Sequence, residues 1–133
     1  MWYDNIENTQ FLLTLYNDIP KLENIEIIEI KTWSRGQRID LIFDIASAVD
    51  IVPPKWKLQG YTHARLRMTF FNVRESNIVI TGDNLKVDAD IKEDKYIYFN
   101  GSNFSTNISI IADSVYLQSI EGFKKPNKKT IDF

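Results

Sequence analysis

The chain has 133 residues, a formal net charge of −2, no cysteine, and 44% hydrophobic against 26% charged residues. That length and balance suit a single globular domain over 1–133, and the missing cysteines exclude a disulfide framework, a thiolate nucleophile and a thiolate metal site. A sequence pI near 5.4 argues against general nucleic-acid affinity, which needs a positive surface, and no apolar run reaches the roughly 18 residues of a membrane-spanning helix. Met1-Trp2-Tyr3-Asp4-Asn5 lacks the basic start and apolar stretch of a secretory signal, so a cytoplasmic address is expected.

In chain order, the first element expected is an amphipathic helix from Asn5 to about Asn17. Ile6, Phe11, Leu12, Leu15, Tyr16 and Ile19 share a broad face, Asp4 and Glu7 resemble a capping box, and Pro20 ends the run. Residues 1–20 therefore read as an N-terminal helix packed on a sheet. From residue 24 to residue 123 the hydrophobic period is near two. The first strand covers about Asn24 to Trp33, and a change of parity at Ile27-Ile28 predicts a bulge. Ser34-Arg35-Gly36-Gln37 reads as a hairpin loop with Gly36 at positive φ. The return strand turns Ile39, Leu41, Phe43 and Ile45 inward and Arg38, Asp40 and Asp44 outward. Ala46 to Gly60 is the longest irregular connection, with Pro53-Pro54 excluding helix and central strand.

A long strand begins at Tyr61, with Ala64, Leu66, Met68 and Phe70 on one face and Arg65, Arg67 and Thr69 on the other. Phe71 and Val73 break that parity, predicting a second bulge or bend. Further strands are expected at 78–81, 85–91, 96–99, 104–112 and 115–120, with turns at Gly82-Asp83-Asn84, Glu93-Asp94 and Asn100-Gly101-Ser102-Asn103. Residues 124–133 form a basic, turn-rich tail. The fold class expected is α+β, mostly β: a helix on a strongly twisted antiparallel meander of about seven or eight strands, as a curled sheet or a sandwich. Three Trp, six Tyr and eight Phe supply bulky side chains for such a sheet.

No residue pattern announces catalysis. His63 is the only histidine and has no cysteine to share a zinc ion with. Asp88 and Asp90 share a strand face, but Asp83-Asn84-Leu85-Lys86 lacks the ligand spacing of a calcium loop. The five glycines form no phosphate-binding loop, and Ser102, Ser105 and Ser109 lie in no nucleophile elbow. No catalytic residue, metal or cofactor is expected.

Positive charge gathers on the first hairpin and the long strand, where Arg35, Arg38, Arg65 and Arg67 lie near Trp33 and Trp56. Three readings stay open for these residues: a solvated face with cross-strand pairs to Asp40 and Asp44, an arginine-aromatic patch for a protein partner, and a base-stacking surface. Trp56 is either a plug for the end of the core or exposed for recognition.

The start of the chain resembles the immunity protein 50 family, one of the bacterial families that answer polymorphic toxins. The matching residues are Met1-Trp2-Tyr3, Asn8-Thr9, Phe11-Leu12, Leu15-Tyr16, Ile19-Pro20, Leu22-Glu23-Asn24 and Glu29-Ile30. The pattern continues through Leu41-Ile42-Phe43-Asp44 and Pro53-Pro54-Lys55-Trp56. The resemblance implies a cytoplasmic antidote of the toxin–antitoxin kind that binds a cognate protein toxin stoichiometrically. It implies no enzyme activity, nucleic-acid binding or membrane binding; a weak homodimer stays open. The partner-binding residues expected are Trp33, Arg35, Arg38, Trp56, Arg65 and Arg67. The alternative is a small-ligand-binding β domain without catalysis.

Overall fold

Inward apolar and outward polar residues alternate through six antiparallel strands: β1 (Ile25–Trp33), β2 (Arg38–Asp44), β3 (His63–Ile80), β4 (Lys86–Asp94), β5 (Tyr96–Ser102) and β6 (Thr106–Phe123). The structure is a computed structural model and describes residues 1–35 and 37–126. The strands close into a barrel in the order β1-β2-β3-β6-β5-β4. Two three-stranded meanders, β1–β2–β3 and β4–β5–β6, are joined by one long ribbon. Along it β3 and β6 pair from His63↔Phe123 to Ile80↔Thr106. β2 lies beside the first part of β3, from Asp44↔Arg65 to Ile39↔Phe70. β5 lies beside the first part of β6, from Ser102↔Asn107 to Ile97↔Ala112. Closure rests on the short contact Ile25↔Val87 and Glu26↔Lys86.

The curl expected from the sequence thus goes to closure as a barrel, and the seven or eight strands become six. The reason lies in the bulges. Register slips between Val73 and Glu75, next to Asn72 at φ 51°. The chain bends there and continues as the same strand, so the strand expected at 78–81 is the end of β3, which stops at Ile80. On β6, Asp113 points outward to the guanidinium of the bulge residue Arg74, with Nε–Oδ1 at 2.9 Å, and the strand runs through it. The bulge expected at Ile27-Ile28 is present, since register slips between Ile27 and Glu29.

The helix expected over Asn5–Asn17 is much shorter. A 3₁₀ turn (Trp2–Asn5) is followed by extended chain and then by α1 (Gln10–Leu15). Residues 7 and 8 take their hydrogen bonds from a strand instead of from a helix. The Glu7 amide donates to the Val115 carbonyl at 3.1 Å, the Leu117 amide donates to Glu7 at 2.9 Å, and the Asn8 side-chain amide donates to Leu117 at 2.9 Å. The Asp4/Glu7 capping box does not form, because the helix starts only at Gln10, and Asp4 pairs with the terminal amine at 3.0 Å. Trp2 anchors this segment, buried with its indole N–H on the Pro20 carbonyl at 3.0 Å. Tyr16 is buried as well and donates to the Ser47 carbonyl at 3.1 Å. Burial, with Asp50 nearby, pushes its phenol up to about 12.

A second helix, α2 (Pro54–Gln59), occupies the stretch where two prolines were expected to exclude one. Pro54 stands in the first turn, where no amide partner is lost, and Gly60 closes the helix at φ 75°. The barrel interior is filled by Leu41, Phe43, Leu66, Met68, Phe70, Phe99 and Ile108, all essentially inaccessible. Phe70 from one meander meets Phe99 from the other edge-to-face at 5.7 Å, so a single cluster of buried side chains spans both. Gly36 and the tail beyond Pro126 lie outside the described residues, with the expectations made for them.

Candidate protein-binding face

The register Asp40↔Thr69, Ile42↔Arg67 and Asp44↔Arg65 sets the polar positions of β2 and β3 side by side on the outer face of the first meander. Asp40 is the keystone. Its side chain is inaccessible although it stands on the outer face, because two arginines fold over it. Arg38 donates from Nε to Oδ1 at 3.1 Å, Arg67 donates from Nε to Oδ2 at 3.1 Å, and the Thr69 hydroxyl donates at 2.8 Å. Burial pushes this carboxyl up, but hydrogen bonds from Arg38 and Thr69 and the charges of Arg38 and Arg67 outweigh it and hold it below the ordinary range. The pattern repeats one step along, where Arg65 grips Asp44 with two bonds of 2.6 and 2.9 Å, and that bonding raises the guanidinium further.

Aromatic rings close both ends of the ladder. The Arg38 guanidinium lies 4.6 Å from the Trp33 ring and 5.8 Å from Phe71. Arg65 lies 5.0 Å from Phe123, which touches His63 at 5.6 Å. Burial and the charge of Lys125 lower the His63 pKa, with Asp44 opposing them. Each arginine is therefore held between a carboxylate and a ring, or doubly held by Asp40, which leaves it few rotamers.

The face carries no positive excess. Arg38 and Arg67 pair with Asp40, Arg65 with Asp44 and Lys31 with Glu29, and Glu26 and Glu121 flank the Asp44–Arg65 pair in register. A base-stacking surface for nucleic acid would need phosphate-attracting charge that these acids cancel.

Of the six residues expected to bind a partner, Trp33, Arg38, Arg65 and Arg67 come together here. Arg35 is exposed on the turn just beyond Trp33. Trp56 does not join them. It sits half-buried on α2, edge-on to Phe11 at 6.0 Å, and packs where Gly122 leaves room, since a Cβ there would stand 2.7 Å from the indole. It is a plug. Sequence reasoning missed Phe71, Phe123 and the burial of Asp40. The signal for Asp40 was available, because it shares outward parity with Arg38 and Asp44 while two arginines of the next strand share parity with each other.

Two further hollows lie outside the barrel. One of about 470 Å³ is lined by Glu26, Ile28, Asp44, Arg65, Lys86 and Phe123, and one of about 670 Å³ covers β4–β6 with Asp88, Asp90, Asp94, Tyr98 and Ile111 among its walls. Among the described residues, no three His, Cys, Asp or Glu side chains are grouped to hold a metal ion, and no helix is long and apolar enough to cross a membrane.

The family model for immunity protein 50 matches residues 8–123, from Asn8, just before α1, to the last residue of β6. The chain belongs to the immunity protein 50 family. Comparison with curated proteins and with solved structures returned no match. Both helices, all six strands and the whole arginine-aromatic ladder fall inside the stretch that defines this membership. The Trp2 anchor and the basic tail fall outside it.

Proposed function

We propose that this immunity protein 50 member neutralises a cognate bacterial toxin in the cytoplasm by stoichiometric protein–protein binding, with no chemical turnover. The family match over residues 8–123 carries the reading. The geometry supports it on physical grounds. An interface that fixes its arginines before the partner arrives loses little side-chain entropy on docking. Arginine and tryptophan at the centre of a patch are the side chains that most often dominate binding energy. The ladder from Trp33 to Phe123 offers both on a rigid sheet. Its near-neutral balance makes it a face for shape and stacking more than for long-range attraction. The filled barrel interior weighs against the alternative, a small-ligand-binding β domain.

Co-expression with the toxin domain encoded beside its gene tests the reading, and rescued growth is expected. Continued killing with folded protein present would overturn it. For the face itself, Trp33→Ala combined with Arg35→Glu alters exposed side chains without touching Asp40. The pair should weaken the complex, and unchanged affinity would remove this face from the account.

A further inference from the structure

The half-sheet made of β4, β5, the first part of β6 and the last part of β3 has two edges, and the chain treats them differently. The β4 edge is covered. The Ala89 amide donates to the Leu22 carbonyl at 2.7 Å, the Asn24 amide donates to Asp88 at 2.8 Å, and β1 adds its short pairing at Ile25 and Glu26. The β3 edge is not covered. β2 ends alongside Phe70, and the last bond across to its hairpin runs from the Val73 amide to the Gln37 carbonyl at 2.7 Å. From Glu75 to Ile80, β3 pairs with β6 alone among the described residues, so alternate backbone amides and carbonyls on its other side face water.

Exposed edges are ordinarily blunted by lysine, proline or a bulge. Glu75-Ser76-Asn77-Ile78-Val79-Ile80 contains no lysine or proline, and its register with β6 is unbroken. It ends instead in three β-branched apolar residues. Val79 is 49% exposed and Ile80 46%, and Phe104 on the neighbouring turn is 90% exposed. Val79 and Phe104 wall a shallow hollow of about 330 Å³ together with Asn103 and Asn107. Open main-chain hydrogen-bonding groups beside an apolar notch are the two parts of a strand-addition site, the first giving affinity and the second selecting the side chain.

We propose that the β3 edge from Glu75 to Ile80 receives an extended strand of the toxin, one that lays an apolar side chain across Val79 toward Phe104 and places a Lys or Arg opposite Glu75. The inference rests on the immunity reading and names where the partner adds. Charge sets the polarity of that partner strand. Arg74 is already neutralised by Asp113 at 2.9 Å, which leaves Glu75 as the acidic end of an otherwise uncharged edge. A second copy paired along the whole edge fits poorly, because two-fold antiparallel pairing centred on Asn77 would set Arg74 and Glu75 of one copy against Ile80 and Val79 of the other. The chain's own end leaves the ribbon at its opposite extremity, where Phe123 pairs with His63.

The test uses full-length protein and an inactivated form of the toxin domain encoded beside its gene, with affinity and amide hydrogen exchange as readouts. Val79→Lys, Ile80→Lys and Phe104→Asp alter exposed positions, and each should weaken the complex about tenfold or more. Amides within Glu75–Ile80 should exchange more slowly in the wild-type complex than in the free protein. If wild type binds while the three variants bind equally well and those amides are unchanged, the edge is not the site and the immunity reading survives. If folded wild type does not bind, both fall. If the same amides become protected without toxin, together with a concentration-dependent dimer, the occupant is a second copy and the proposal is overturned.

Discussion

The two meanders share one topology and treat their outer faces in opposite ways. On β1–β2–β3 every arginine is locked to an acid, and the acid at the centre, Asp40, is buried beneath its partners. On β4–β5–β6 the acids Asp88, Asp90 and Asp94 stand exposed, and the one lysine among them, Lys92, reaches Asp90 at only 3.8 Å. The first face has traded freedom for order, while the second has kept its charges in water. Burying a charge is tolerable only when hydrogen-bonded partners replace the lost water, and the first meander meets that condition through the register of β2 against β3.

Besides their topology the two halves have the hydrophobic interior in common, so the largest effect should also be the most symmetric. Phe43→Ala in the first meander and Phe99→Ala in the second each remove a buried ring, and each should cost about 3–5 kcal/mol in urea denaturation. Because one cluster of buried side chains spans both halves, each variant should still unfold in one transition. Two separated transitions would show that the meanders are independent units.

Next in size comes the contrast between acids. Asp40→Asn leaves Arg38 and Arg67 without their shared counter-charge, at a cost of about 3 kcal/mol, the low end for a broken buried pair because both arginines are partly exposed. Asp90→Asn on the other meander should stay within about 0.5 kcal/mol. Equal effects would mean that the ladder is decoration.

The same contrast has a pH signature. The folded Asp40 carboxyl lies below its ordinary value, so the folded state holds fewer protons than the unfolded state through that interval. Its stabilisation is complete above about pH 3.9 and is lost as pH falls through the folded value. Asp40→Asn should therefore flatten the acid limb of a stability–pH curve, and Asp90→Asn should not. The smallest effect belongs to His63, whose folded pKa is lowered by burial and by Lys125. Its contribution is intact above about pH 6.5 and is lost as pH falls from there through the folded value, so His63→Gln should remove a shallow slope between those two values. A slope of the opposite sign would contradict the burial assigned to His63.

What was legible in the sequence was whatever depends on neighbours in the chain. The alternation of Ile39, Leu41 and Phe43 gave β2, and the parity change at Ile27-Ile28 gave a bulge that is present. What stayed hidden depends on distant partners. Residues 7 and 8 carry a helical pattern but bond to Val115 and Leu117, more than a hundred positions away. The parity break at Phe71–Val73 gave a second bulge that is present between Val73 and Glu75, but not that the same strand continues beyond it to Ile80. The arginine ladder was half legible. Outward parity put Arg65 and Arg67 on one face, but only the β2–β3 register brought Asp40 under two guanidiniums. Trp56 was grouped with them because it is aromatic and near basic residues in sequence, and its place beside Phe11 and Gly122 could not be read from that.

The central claim is that this barrel acts by occupying another protein's surface, and titration of active toxin with purified protein tests it most directly. The account predicts that toxin activity falls linearly to an end point at one barrel per toxin, and that intact, active toxin is recovered when the complex is dissociated. Loss of activity at a small fraction of that ratio, or recovered toxin that is chemically altered, would contradict it.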